Sequence, residues 1–128
     1  MVHFTIYWTL PSLNEYVRAC RANFRAGNKL SRDAHYLCRL GMTKLAGKKI
    51  DKAYIKFHWV EKNKRRDKDN IAFAKKFILD ALQEMGILQN DGWSEILGFS
   101  DTFDVDKDNP RIEVSLLSEE ELKKYENQ

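Results

Sequence analysis

The residues best suited to chemistry lie in one stretch, Lys64-Arg65-Arg66-Asp67-Lys68-Asp69-Asn70, with Asn90-Asp91 following further along the chain. Asp67 and Asp69 point the same way if the backbone between them is extended, and would place a pair of hard oxygen ligands at the mouth of a helix. Asp91 is a third carboxylate, in a turn beyond that helix. Three clustered carboxylates repel one another, and Mg²⁺ or Mn²⁺ relieves the repulsion while keeping positions open for water. Such an ion can serve phosphodiester hydrolysis by polarising the ester, activating water and neutralising the leaving oxygen. A nearby lysine could add positive charge to the transition state. Of Lys75 and Lys76, the second falls about 20° from the helical direction of Asp69 and the first about 120°, so Lys76 is the expected catalytic lysine. A helix of about 15 residues separates its ends by roughly 22 Å, so Asp91 joins the pair only if the chain turns back after Gly86. Ordinary roles compete. Asp69 could cap the helix, Asp67 could pair with Arg65 or Arg66, Lys76 could pair with Asp80, and Asp91 could hold a turn.

Basic residues surround this stretch. Arg18, Arg21 and Arg25 share one helical face, as do Arg32, His35 and Arg39, while Lys62, Lys64, Arg65 and Arg66 lead directly into the acidic pair. Together they could contact several phosphates of a duplex. Residues 1–66 carry 15 Lys and Arg against 4 Asp and Glu, a balance of +11, and residues 67–128 carry 7 against 15, or −8, which leaves the whole chain at +3. A basic surface joined to an acidic cluster suits a polyanion with a cation between them. A second Asp-Lys-Asp-Asn at 106–109 lacks the Gly and Glu of a calcium loop and reads as an exposed hairpin turn closed by Pro110. His3, His35 and His58 have no ligand spacing and are expected to be structural or surface residues. The aromatic residues sit mainly on apolar faces, as core residues do.

The elements that must position these groups follow from periodicity. Residues 2–9 alternate as a half-buried strand, Ser12 and Glu15 form a capping box ahead of a helix closed by Gly27, and a longer helix runs to about Ala46 with Gly47 as its stop. Residues 53–60 alternate again. Ile71, Ala74, Ile78, Ala81, Leu82 and Met85 mark the strongest helix, 71–85, ended by Gly86. Two β-like segments, about 93–105 and 111–117, read as a hairpin or neighbouring strands, and residues 118–128 as a marginal exposed helix. The expected fold is α+β, one small domain over 1–117 with a mixed sheet of about four strands packed with two or three helices. The length of 128 residues and 43% apolar content are enough for such a core. No apolar run reaches the roughly 18 residues of a membrane span, and the start shows no export signal, so the expected compartment is the cytoplasm. Cys20 and Cys38 are expected as buried thiols.

In order, Arg65-Arg66-Asp67-Lys68-Asp69-Asn70, Lys76, Asp80-Ala81-Leu82, Gly86 and Asn90-Asp91 resemble the signature of the RusA-type Holliday junction resolvases. Leu10-Pro11-Ser12-Leu13-Asn14 is similar to the segment that follows strand one in that family. The resemblance is closest over residues 65–91. It implies a Mg²⁺-dependent endonuclease, common in phages and prophages, that acts as a homodimer and nicks two strands of a four-way DNA junction symmetrically. The family's metal-binding aspartates would fall on Asp67, Asp69 and Asp91, and its essential lysine on Lys76. Two departures stand out: the interval from Asp69 to the lysine is about three residues longer here, and Asn90 replaces the first of two aspartates.

Residues and resemblance meet in one expectation, a junction-cutting enzyme with no nucleotide cofactor and no membrane partner. A non-catalytic nucleic-acid-binding module and a metal-dependent nuclease for other branched DNA remain the alternatives.

Overall fold

The computed structural model describes residues 1–127. Strand β1 (Val2–Ile6) enters the sheet and is followed by helices α1 (Leu13–Ala22) and α2 (Phe24–Gly41), then a 3₁₀ turn at Thr43–Leu45. Strand β2 (Ala53–Glu61) leads into helices α3 (Lys68–Ala72) and α4 (Lys75–Glu84), which return the chain to β3 (Ile96–Val105); β4 (Arg111–Leu117) and α5 (Glu119–Glu126) complete it. The sheet order is β1-β4-β2-β3, with β2 and β3 parallel and the other pairs antiparallel. This is the mixed four-stranded α+β domain that the alternation predicts.

One face of the sheet carries Phe4, Ile6, Ile55, Phe57, Trp59, Ile112, Val114 and Leu116, all buried. Ala34, Cys38 and Met42 of the α2 region join the same core, with Phe77, Ile78, Ala81 and Leu82 of α4. The opposite face alternates to His3, Lys56, His58, Glu113 and Ser115, and α5 meets it where Lys56 Nζ lies 4.4 Å from the Tyr125 ring. Ser118 and Glu121 form the expected capping box, and α5 buries no residue. Gln128 of the expected tail lies outside the described residues.

Several boundaries differ from expectation. Residues 93–105 and 111–117 do not pair with one another, because β2 lies between β3 and β4. The segment 106–109 is a turn as predicted but not a hairpin turn: Asp106 Oδ1 accepts from the amides of Asp108 and Asn109, and its other oxygen pairs with Arg111. The first helix ends at Asn23, not Gly27. Asn23 adopts extended backbone and its Oδ1 accepts from the Ala26 amide at 2.8 Å, so it caps α2. Arg18 and Arg21 thus stand on one helix and Arg25 on the next. Gly27 lies inside α2, where a Cβ would sit 2.8 Å from Cys20 Sγ and 3.2 Å from Cys20 Cα. Gly27→Ala is therefore expected to lower stability by about 1–3 kcal/mol in urea unfolding, since the neighbouring backbone cannot easily yield. Cys38 is buried and its thiol is pushed up to about 12, chiefly by that burial, whereas Cys20 is exposed, contrary to expectation. Helix α2 stops at Gly41 and not at Ala46.

The predicted helix 71–85 begins earlier and breaks near Phe73–Ala74. The amides of Ala74, Lys76 and Phe77 each donate to the carbonyl three residues back, a tight 3₁₀ pattern that resets the angle between α3 and α4. Gly86, at φ +71°, ends α4 in a Schellman pattern, with the Ile87 amide donating to Leu82 and the Gly86 amide to Gln83. A parallel bridge of Ile50 with Leu88 then holds the returning chain.

Candidate functional site

Asp67 occupies the N-cap position of α3, with φ −73° and ψ 152°, yet its side chain makes no capping hydrogen bond. Asp69 lies in the first turn and accepts only from the Asn70 amide at 3.0 Å. Asn70 in turn accepts from the Asn14 amide at 3.3 Å, tying the mouth of α3 to the start of α1. Both carboxylates are exposed and, among the described residues, neither pairs with a cation. They line one cavity with Glu61, Lys64, Lys68, Phe103 and Asp104.

The basic neighbour expected to pair with Asp67 is committed elsewhere. Arg66 clasps Glu61 with Nε to Oε1 at 2.8 Å and Nη2 to Oε2 at 2.9 Å, and Nη1 reaches the Leu10 carbonyl at 2.8 Å and Glu15 at 3.1 Å. Burial alone would push its guanidinium down, but the hydrogen bonds it donates to Glu61 and Glu15, and their charge, hold it raised. Burial pushes the Glu15 carboxyl up, and its hydrogen bonds to Ser12 and Arg66 outweigh that and hold it below the ordinary range. Arg66, expected to contact phosphate, has four of its five donors engaged inside the fold. Arg39, also expected to contact phosphate, is bound to Glu84 at 2.6 Å, and His35 meets Asp80 and Glu84 at 3.2 and 3.4 Å. These pairs join α2 to α4. Arg18, Arg21, Arg25, Arg32, Lys62, Lys64 and Arg65 are exposed and have no acidic partner among the described residues.

Asp91 does not meet the pair. The chain does turn back after Gly86, and Asp91 lines a cavity with Lys75, Lys76, Asp80 and Phe99. Phe99 walls this cavity and Phe103 walls that of Asp67 and Asp69; four residues apart on β3, they are separated by roughly 13 Å. Among the described residues no group of three His, Cys, Asp or Glu is close enough to hold a metal ion. Asp67 and Asp69 alone fit the pattern of one or two carboxylates that Mg²⁺ takes beside phosphate oxygens and waters.

Nor does Lys76 line the cavity of Asp69; it lines that of Asp91. It is exposed and reaches Asp80 at 3.5 Å, the ordinary i,i+4 pair. Lys75 instead turns onto the sheet. Its Nζ lies 2.7 Å from Asp101 Oδ2 and 3.8 Å from the centre of the Phe99 ring, and Asp101 Oδ1 accepts from Trp59 Nε1 at 2.8 Å. This Lys75–Asp101–Trp59 network stands between the two cavities, and sequence reasoning missed it. Its signal was an acid at an inward position of β3, between Phe99 and Phe103 in the same alternation.

The histidines are structural, as expected: His3 meets Ser115 at 3.0 Å and His58 meets Thr102 at 2.6 Å. The aromatic expectation holds for Trp59 but not for Tyr7, Trp8, Phe24 and Trp93, which are exposed. No helix among the described residues is long and apolar enough to cross a membrane. No protein-family model and no curated protein matches the chain.

Proposed function

We propose that the chain is a Mg²⁺-dependent endodeoxyribonuclease of the RusA kind, a homodimer that resolves four-way DNA junctions by paired, symmetric nicks. The observation that carries this reading is the state of Asp67 and Asp69. Two exposed carboxylates stand beside Lys64 and Lys68 in one cavity, yet none of these cations closes on them, and Arg66 passes them over for Glu61 and Glu15. An acidic pair rimmed by lysines suits a divalent ion held beside the oxygens of a phosphate.

In this reading Asp67 and Asp69 would hold Mg²⁺, with Asp91 as the third ligand that the resemblance implies. The chemistry the ion supplies when bound is charge neutralisation at the phosphodiester and a lowered pKa for water. Lys62, Lys64 and Arg65 take phosphates on the approach to the acidic pair, and Arg18, Arg21, Arg25 and Arg32 extend the contact along the junction arms. Lys75 and Lys76 bring positive charge to the cavity of Asp91, and the packing of Lys75 on Asp101 makes it the better positioned of the two. A two-fold dimer suits a substrate that must be cut on two related strands, since an isologous interface sets two equal sites across it.

One observation favours a second reading, a nucleic-acid-binding module without cleavage: Asp91 lines a different cavity from Asp67 and Asp69. The deciding experiment incubates the protein with a labelled four-way junction and a matched linear duplex, each with Mg²⁺ and with EDTA. Symmetric nicks in the junction with Mg²⁺ alone are expected. Salt-sensitive binding that is indifferent to Mg²⁺, with no cleavage in any divalent metal, would return the aspartates to structural roles.

A further inference from the structure

On the far side of Arg66 lies a second cavity, of about 710 Å³, with a floor of Leu10, Pro11, Leu30, Ala34 and Leu37 and with Trp8 at its side. Glu61, Asn63 and Arg66 line this cavity and also that of Asp67 and Asp69, so the two are neighbours across one shared wall. We infer that it receives an unpaired nucleotide of the DNA strand that runs past Asp67 and Asp69, with the base stacked on Trp8 and the flanking phosphates on Lys62 and Arg65.

Three features of the cavity support this. Trp8 is 60% exposed, whereas Phe4, Phe57 and Trp59 of the sheet are buried. It sits just beyond β1, and its amide is held by the Ile6 carbonyl at 3.1 Å, so the indole is presented from a fixed backbone. An exposed indole beside an apolar floor suits a base-stacking platform, which tolerates any base. The charges at the rim also select the occupant. Glu15 and Glu61 are closed on Arg66 and Asp33 on Lys29 at 2.8 Å, which leaves Lys62 and Arg65 as the exposed lining charges without an acidic partner among the described residues. An apolar floor rimmed by free cations matches the amphipathic character of a nucleotide, which joins an aromatic base to an anionic phosphate. Lastly, the shared wall places the cavity beside the acidic pair, where a strand peeled from its duplex would pass.

The inference rests on the nucleic-acid reading above but not on cleavage, so it is tested in EDTA. Fluorescence anisotropy would compare a short fluorescein-labelled oligothymidylate with a duplex of equal length. Trp8→Ala is expected to weaken single-strand binding about ten-fold, equivalent to ~1.4 kcal/mol, and to leave duplex binding unchanged. Trp8→Phe should hold within about three-fold of the unmodified protein, since the phenyl ring still stacks. Equal losses on both probes, or none, would overturn the inference. So would a Trp8→Ala protein that changes from dimer to monomer in sedimentation with its oligonucleotide affinity intact, which would assign the cavity to a second copy. Should Trp8→Ala fail to fold, the Trp93→Phe protein leaves Trp8 and the buried Trp59 as the only indoles. Its emission should be quenched as oligothymidylate saturates it, and an unchanged spectrum at saturation would overturn the inference as well. Failure of junction cleavage with stacking intact would sink the nuclease reading alone.

Discussion

Asp69→Asn is expected to lower junction cleavage in Mg²⁺ by about 10³-fold or more while junction affinity in EDTA holds or rises, and Asp67→Asn should do the same. Loss of one of two carboxylates weakens ion binding and forfeits several kcal/mol of charge stabilisation at the phosphodiester, and about 4 kcal/mol corresponds to roughly 10³ in rate. Affinity is expected to survive because the carboxylates repel phosphate when no cation lies between them. Single-turnover cleavage of a labelled junction, with gel-shift binding in EDTA, measures both quantities on one protein. Loss of binding with cleavage chemistry intact in the bound fraction would refute the role given to the pair.

Asp91→Asn is the sharper variant, since Asp91 lines a cavity with Lys75 and Lys76 and not with Asp67 and Asp69. If substrate draws it to the pair as a third ligand, cleavage falls by a similar factor and junction binding is unaffected. A loss below about ten-fold would confine the ion to Asp67 and Asp69. The lysines separate in the same assay. Lys75→Met removes a cation held between Asp101 and the Phe99 ring, whereas Lys76→Met removes an exposed i,i+4 partner of Asp80, a type of pair worth little.

What the residues disclosed in advance, and what they did not, follows from sequence separation. Strand β2 was legible because Ile55, Phe57 and Trp59 alternate with Lys56 and His58, and both capping boxes were legible because Ser12 with Glu15 and Ser118 with Glu121 act within one turn. The break at Asn23 was not. The basic residues on both sides of it keep helical spacing, so periodicity ran through a residue whose side chain starts a new helix. Strand order was also hidden, because the ladder that puts β2 between β3 and β4 joins distant residues such as Trp59 and Ile112. At the site, the local pattern announced Asp67 and Asp69. It could not announce that Asp91 would meet the lysines first, since that depends on how the 3₁₀ break sets α4 against β3. The same limit hid Lys75 and Asp101, whose pairing needs the fold to bring helix and strand together.

Arg66 shows why a basic run cannot be read as uniform DNA-binding surface, and Arg66→Ala is expected to cost about 3 kcal/mol of stability. Glu61 is only 7% exposed, and its two oxygens take both arms of the guanidinium. Removing that partner leaves a buried carboxylate unpaired and the Leu10 carbonyl without its donor, a loss of the kind that costs about 3–5 kcal/mol when complete. Arg66→Lys should recover only part of it, because one ammonium cannot replace the bidentate fork. The pH dependence has a definite sign. Glu15 is held below its ordinary value near 4.5, so its contribution is fully present above that pH and is lost as pH falls through the lowered folded value. Urea unfolding should therefore show the unmodified protein losing more stability than Arg66→Ala as pH falls below about 4.5. Salt dependence separates this structural role from phosphate contact. Arg65→Ala should reduce the slope of log affinity against log salt by about 0.9, one phosphate contact's worth, whereas folded Arg66→Ala should leave the slope unchanged. An equal reduction in both would mean that Arg66 leaves Glu61 for the DNA backbone when the junction binds.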